Sequence, residues 1–215
     1  WSDTDTSRLL IRIQRELGMT KVDKGAILDA LLVYAQDHSV NAPKDWMESL
    51  VWDGKPRVEN FLSQYVGAAD SPYVKAVSKN WWISMVARIY RPGCQVDTML
   101  ILQGGQGVGK STAFSIIGGP WYSVATANVS DPKAFAETMR GKMIMEIAEL
   151  ASFSRAESES VKRILTDRSD RYRASYGRFA ADHPRRNVLV GSTNKDSYLT
   201  DETGARRFWP VVVSA

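Results

Sequence analysis

Residues 99–112 read MLILQGGQGVGKST, an apolar run followed by a glycine-rich loop and by residues that can begin a helix. This spacing matches the phosphate-binding P-loop, in which four residues separate two glycines and the second glycine precedes Lys and Ser. Glycines allow the backbone to curl around phosphate oxygens, and the free N–H groups of the following helix face the same anion. The residues predicted to form this nucleoside triphosphate site are Gly104, Gly105, Gln106, Gly107, Val108, Gly109, Lys110, Ser111 and Thr112.

Lys110 and Ser111 have separate predicted roles in this loop. Lys110 is expected to reach the β- and γ-phosphates as a point charge, and the Ser111 hydroxyl is expected to bind a magnesium ion that bridges them. A dinucleotide-binding loop is a weak alternative, because a Lys-Ser pair has no purpose there. The predicted cofactors are therefore ATP and Mg²⁺.

A second apolar run, residues 142–150, brings acidic residues to the end of a predicted strand. It reads KMIMEIAEL and contains Glu146 and Glu149. A Walker B element needs a carboxylate at this place, because the carboxylate has to meet the magnesium shell beside the P-loop. An amphipathic strand with surface acids is the simpler interpretation of this run alone. After a P-loop in the same chain, we favour Glu146 as the metal-side carboxylate and Glu149 as the base that activates water.

Length and composition limit the class of protein. The chain has 215 residues, enough for one α/β core and a smaller appended unit, and it begins at Trp1, so we expect a portion of something longer. Its formal net charge of +4 is compatible with a nucleic-acid partner without demonstrating one. No apolar run approaches the roughly 18 residues of a membrane span and no signal peptide opens the chain, so a soluble, cytoplasmic protein without a membrane partner is expected.

The hydrophobic pattern predicts an α/β fold in three parts. Residues 1–45 form a helical N-terminal segment, residues 46–95 form a connecting helical segment packed on the core, and residues 96–215 form the P-loop ATPase core, whose C-terminal part we expect to be missing. Apolar runs that end in polar residues and alternate with helices predict a parallel sheet, with the site at the carboxyl ends of its strands.

Arginines are concentrated in residues 155–186, where aromatic residues interleave with them. Such a mixture can follow a phosphate backbone and stack on exposed bases. A solvated charged face is an almost equally good interpretation, and the excess of Arg over Lys favours phosphate contact. The residues predicted to contact single-stranded DNA are Arg173, Tyr176, Arg178, Arg185 and Arg186.

Taken together, these stretches resemble the virulence-associated protein E family, whose members are encoded by phages and mobile islands and belong with superfamily 3 helicases. The resemblance covers most of residues 45–213. The matching stretches are WDGKPR at 52–57, RPGCQVD at 91–97, the P-loop, EIAEL at 146–150, YGR at 176–178 and DETGARRFWP at 201–210.

The resemblance implies an AAA+-like ATPase core preceded by a small helical N-terminal unit. In the family pattern Asn194 matches the sensor 1 position, Arg206 or Arg207 matches the arginine finger, and residues 170–186 correspond to a DNA-contacting β-hairpin. Many superfamily 3 members have adjacent acids where this chain has Glu-Ile-Ala-Glu. The sequence therefore leaves open which glutamate is the base and which arginine is the finger.

The function implied by the resemblance is that of an ATP-dependent DNA helicase or replication ATPase of a phage or mobile genetic element, which couples ATP hydrolysis to movement on single-stranded DNA. The implied assembly is a homo-oligomeric ring, a hexamer by resemblance, with a primase or another replication protein as a further partner. The alternatives are a nucleotide-gated DNA-binding or regulatory ATPase without unwinding activity, and an ATPase that remodels protein partners.

Overall fold

The computed structural model describes residues 2–126, 128–173, 179–194 and 206–214. The chain divides into two units, Trp1–Ala42 and Pro43–Ala215. In the described part of the chain, no helix is long and apolar enough to cross a membrane.

The first unit consists of two helices, α1 (Asp3–Glu16) and α2 (Lys24–Asp37). Gly18 follows α1 with a φ of +67°, a left-handed conformation that glycine adopts at little cost and that commonly ends a helix. The side chain of Asp23 caps α2 by accepting a hydrogen bond from the backbone N–H of Ala26. Both helices lie within residues 1–45, the segment for which the sequence predicts helices.

The second unit contains the remaining elements. Its helices are α3 (Ala42–Ser49), α4 (Phe61–Tyr65), α5 (Pro72–Tyr90), α6 (Lys110–Gly118), α7 (Pro132–Met139) and α8 (Arg155–Thr166). Its strands are β1 (Met99–Gln103), β2 (Tyr122–Val124), β3 (Ile144–Ile147), β4 (Ser169–Tyr172), β5 (Ala181–Pro184), β6 (Val188–Thr193) and β7 (Phe208–Val212).

Five of these strands form one sheet in the order β2-β3-β6-β1-β7, and every neighbouring pair is parallel. This arrangement confirms the predicted α/β fold with a parallel sheet. After β1 the chain moves to the far edge at β2, returns through β3 to β6, and then passes beyond β1 to β7. The direction of winding thus changes beside β1, which is where open parallel sheets bind ligands at the carboxyl ends of their strands.

The two faces of the sheet form separate apolar clusters, because successive strand residues point to opposite sides. Leu100, Ile144 and Val190 pack on one face with buried residues of α5 and with Phe114 of α6. Ile101, Met145 and Leu189 pack on the other face with buried residues of α7 and α8. The sheet is therefore covered by helices on both faces, which explains why β1, β3 and β6 are almost entirely buried.

The connecting segment ahead of β1 contributes α5 to the first apolar cluster. Pro72 occupies the first turn of α5, where its missing N–H is not needed, and the Ser71 hydroxyl accepts a hydrogen bond from Val74 N–H. The ring of Trp46 lies 5.6 Å from that of Trp121, whereas Trp52 is 76% exposed. Trp46 thus contacts a residue that packs against the first apolar cluster, although 40% of Trp46 is exposed, whereas Trp52 presents its ring to solvent.

Candidate functional site

The glycine-rich loop joins the carboxyl end of β1 to the first turn of α6. Gly107 and Gly109 have φ values of +85° and +82°, which L side chains rarely adopt, and Gly109 caps the helix. A Cβ on Gly104 would collide with the carbonyl oxygen of Val213. These glycines therefore allow a tight bend that aims the free N–H groups and the positive dipole end of α6 at the loop.

Lys110, the first residue of α6, turns its amine back toward this loop. Its Nζ donates to the carbonyl oxygens of Gly104 and Gly105, each at 2.7 Å, and to Oδ1 of Asn194 at 2.8 Å. Burial lowers the pKa of Lys110 because desolvation disfavours the charged amine, while the negative charge of Glu146 acts in the opposite direction. The three acceptors compensate the amine for its reduced contact with water.

Glu146 of β3 lies at the centre of a group of hydroxyls and is fully buried. Its Oε1 accepts from the hydroxyls of Ser111 at 2.7 Å and Ser192 at 2.6 Å, and its Oε2 accepts from the Tyr122 hydroxyl at 2.5 Å. Burial, together with the hydrogen bond to Glu146, raises the pKa of Tyr122 well above its ordinary value. The phenol is thus a stable donor to this carboxylate.

The register of the sheet explains why these residues meet. Glu146 lies opposite Val190 on β6, so Ser192, two residues further along, occupies the diagonal position on the same face. Tyr122 lies opposite Ile144, two residues before Glu146 and again on the same face. Because α6 packs on this face, the first turn of α6 brings Ser111 to the same carboxylate.

Glu149 lies beyond the end of β3 and differs from Glu146 in exposure and in backbone geometry. Glu149 is exposed, and its φ of +55° is left-handed. Among the other described residues, only glycines have a positive φ. The carbonyl of Glu149 accepts hydrogen bonds from the backbone N–H and the hydroxyl of Ser152, both at 2.8 Å. Backbone strain of this kind costs of the order of 1–3 kcal/mol and is common at functional sites.

These elements surround a cavity of about 360 Å³. The loop and α6 contribute residues including Lys110 and Ser111, the segment after β3 contributes Ala148 and Glu149, and the end of β6 contributes Ser192, Thr193 and Asn194. Glu146 lies beneath this wall, behind Ser111 and Ser192 to which it is bonded. The structure therefore brings the loop, both glutamates and Asn194 to one edge of the sheet.

Residues 47–215 match the family described as the virulence-associated protein E-like domain. The chain belongs to this family. No curated protein matches the chain.

Two solved apo structures of the NrS-1 C-terminal region are similar to this virulence-associated protein E-like chain. They share 17% and 18% sequence identity with it, and each gives a TM-score of 0.48. In both cases the match covers 76% of this chain and 42% of the other, so the chain spans about two fifths of the structures it matches.

The candidate arginine fingers of the virulence-associated protein E-like chain lie just before β7. Arg206 is exposed, whereas Arg207 is half-buried and its Nε has no hydrogen-bond partner among the described residues. Neither arginine is among the described residues that line the cavity. The structure thus places both arginines just before β7 and outside the described wall of the cavity that Lys110 lines.

The residues predicted to contact DNA are divided by the structure. The strands β4 and β5 form an antiparallel pair in the segment where the family resemblance implied a β-hairpin. Arg173, which follows β4, and Arg186, which follows β5, are both exposed. Tyr176 and Arg178 lie outside the described residues.

Arg185 is placed differently from its neighbour Arg186. It is 6% exposed, and its Nε and Nη2 donate to the two carboxylate oxygens of Asp170 at 2.8 and 2.5 Å. Its Nη1 donates to the carbonyl oxygen of Ile164 at the end of α8. The predicted DNA contact of Arg185 does not fit this arrangement, because the guanidinium is already used to fasten the β4–β5 pair to α8.

Sequence reasoning missed three residues that organise these sites, namely Tyr122, Ser192 and Asp170. Ser192 was detectable in principle, since it lies among the polar residues that end the apolar run of β6. Nothing in the local sequence around Tyr122 or Asp170 distinguishes them from ordinary surface residues. Their partners come from other elements, so only the fold reveals their roles.

We predict that Arg185→Ala destabilises the second unit by about 3–5 kcal/mol, because it leaves the Asp170 carboxylate in a largely buried place without its partner. The control is Arg171→Ala on the same β4–β5 pair, because the ion pair of Arg171 with Asp182 is exposed and is expected to contribute no more than about 1 kcal/mol. Urea unfolding followed by circular dichroism measures both values. Equal effects of the two variants would contradict the structural role of Arg185.

Proposed function

We propose that this chain carries the AAA+-like P-loop ATPase core of a DNA helicase or replication ATPase encoded by a phage or mobile genetic element. The observation that supports this best is the convergence of Lys110, Ser111, Glu146 and Asn194 at the carboxyl ends of adjacent parallel strands. Membership of the virulence-associated protein E-like family supports the same proposal.

The triphosphate of ATP is the anion that this edge of the sheet suits. The N-terminus of α6 offers backbone N–H groups and a positive dipole end, and Lys110 adds a full positive charge. The carbonyls of Gly104 and Gly105 that hold the amine are weaker acceptors than charged phosphate oxygens. Lys110 therefore exchanges these carbonyls for phosphate oxygens when the nucleotide binds.

Magnesium is the cofactor that the oxygen atoms around Ser111 fit. The ion prefers oxygen ligands and is usually held by one or two protein oxygens together with phosphates and waters. Ser111 and Glu146, whose oxygens lie 2.7 Å apart, would supply those protein oxygens. The bound ion would neutralise charge on the phosphates during their transfer.

Glu149 and Asn194 have positions that suit the remaining tasks. Glu149 is exposed at the cavity rather than bonded within the Glu146 group, so its carboxylate is free to accept a proton from an attacking water. The Asn194 amide reaches the same cavity and orients Lys110. We assign Glu149 as the base, Glu146 as the metal-side carboxylate and Asn194 as the polar group that senses the γ-phosphate.

A ring of identical subunits would complete the proposed machine. Arg206 or Arg207 would then reach the nucleotide of a neighbouring subunit, where an arginine stabilises charge on the transferred phosphoryl group. Single-stranded DNA would contact the exposed arginines beside the β4–β5 pair, and a primase or another replication protein would be a further partner. A hexameric ring follows from the family resemblance alone.

We predict that Lys110→Ala weakens ATP binding by about 10- to 100-fold, since a hydrogen bond to a charged group contributes about 1.5–3 kcal/mol. Titration with a fluorescent ATP analogue measures this affinity. Lys75→Ala, which removes an exposed amine paired with Asp70, serves as the matched control and should bind normally. A folded Lys110→Ala variant with unaltered ATP binding and hydrolysis would reject the P-loop assignment.

We expect Glu149→Gln to keep ATP affinity and to slow hydrolysis by about 10²- to 10⁴-fold, because removing a base leaves the ground state intact. Single-turnover hydrolysis and nucleotide titration separate the two effects. Glu146→Gln should in contrast weaken binding of nucleotide together with Mg²⁺. If only Glu146→Gln retained binding while abolishing turnover, the roles of the two glutamates would be exchanged.

DNA stimulation separates a motor from a nucleotide-gated regulatory ATPase. For a motor, single-stranded DNA should raise the rate of hydrolysis, and Arg173→Glu should weaken DNA binding. It should also lower the slope of log affinity against log salt by about 0.7 for each phosphate that the protein no longer neutralises. Arg15→Glu in α1 makes the same change in net charge and should leave the slope unaltered. Equal slopes for wild type and Arg173→Glu would mean that this arginine only faces solvent.

A further inference from the structure

Two of the three hydroxyls bonded to Glu146 have no part in the proposed ATP and magnesium chemistry. Ser111 is the expected magnesium ligand, whereas Tyr122 of β2 and Ser192 of β6 each donate a hydrogen bond to the carboxylate. A charged group that is removed from water needs such donors, because an unpaired buried carboxylate is highly unfavourable. The need to solvate the carboxylate does not, however, explain why the donors are divided between its two oxygens.

The donors are arranged so that both oxygens of Glu146 are fixed. Ser111 and Ser192 share Oε1, whereas Tyr122 alone occupies Oε2. The terminal torsion of a glutamate is broad, so hydrogen bonds to one oxygen would leave the plane of the carboxylate free to rotate. A donor on the second oxygen holds that plane in one orientation.

We propose that Tyr122 and Ser192 are positioning residues that hold the Glu146 carboxylate ready for magnesium beside Ser111. The proposal rests on the ATPase function proposed above and adds two residues to it. Tyr122 contributes more to holding the carboxylate in place, because among the described residues its hydroxyl alone donates to Oε2. Ser192 contributes less, because Ser111 still donates to Oε1 when the Ser192 hydroxyl is removed.

The fold makes room for the phenol at a specific glycine. A Cβ on Gly118, at the end of α6, would lie 2.6 Å from the Cβ of Tyr122, closer than real Cβ atoms approach one another. Gly118 thus lets β2 begin directly beneath α6, and the Tyr122 side chain then extends along the sheet face toward Glu146. The phenol is consequently delivered by backbone packing and not by a mobile loop.

The test measures how much Mg²⁺ is needed for nucleotide binding. Manganese bound with ADP is followed by electron paramagnetic resonance, and Mg²⁺ titrations follow a fluorescent ADP analogue. Tyr122→Phe should raise the metal concentration at half-saturation by about 10- to 100-fold, the usual effect of removing a partner of a metal ligand. Nucleotide affinity in the presence of EDTA should not change, and Ser192→Ala should give a smaller shift in the same direction.

Matched controls remove the same atoms elsewhere in the second unit. Tyr73→Phe and Ser84→Ala each delete a hydroxyl from α5 and should leave the metal requirement as in wild type. A wild-type metal requirement in folded Tyr122→Phe would overturn the positioning role while leaving the ATPase proposal standing. Failure of the wild-type protein to bind ADP with or without metal would instead overturn the ATPase proposal.

A double-mutant cycle tests the contact without any nucleotide. Thermal unfolding is compared for Tyr122→Phe in the wild type and in the Glu146→Gln background. The destabilisation caused by Tyr122→Phe should shrink in that background, because hydrogen bonds to charged groups are about twice as strong as neutral ones. Equal effects in both backgrounds would show that the phenol stabilises the fold without acting through the carboxylate, and would overturn the proposal.

Discussion

A buried carboxylate on the face of an apolar sheet imposes the strongest constraint in this molecule. Around Glu146 the same face carries Ile144, Val190 and Leu100, none of which can solvate a charge. The carboxylate is tolerated because three elements each bring one hydroxyl to it, α6 through Ser111, β2 through Tyr122 and β6 through Ser192. The relative placement of these elements is therefore coupled to a single side chain.

The amine of Lys110 is likewise a charged group partly removed from water, and it too is compensated by hydrogen-bond partners. Lys110 is held by two carbonyls of the glycine-rich loop and by Asn194 from the end of β6. The strand order makes this possible, since β6 lies between β1 and β3 and supplies residues to both groups. The β6 segment thus contacts the amine of Lys110 through Asn194 and the carboxylate of Glu146 through Ser192. The positions of the two charged groups therefore both depend on β6.

The sequence predicted the elements better than it predicted the contacts between them. The apolar runs of β1, β3 and β6 and the loop before α6 were recognisable because each is a local pattern of a few residues. The partners of Glu146 are separated from it by 24, 35 and 46 positions, and no local pattern links them. Arg185 illustrates the same limit, because an arginine-rich stretch looks uniform until the fold buries one member against Asp170.

The spacing of the two acids follows from strand geometry. Successive residues of a strand point to opposite faces, so Ile147, next to Glu146, enters the second apolar cluster and an acid in its place would be buried there. The strand ends at Ile147, and the left-handed backbone of Glu149 turns the chain so that this residue joins the cavity wall. Glu146 is consequently fixed by hydroxyls within the sheet, while Glu149 stands on a strained turn in contact with solvent. A rigid acid suits a metal and an exposed acid suits proton transfer, which supports the roles proposed for them.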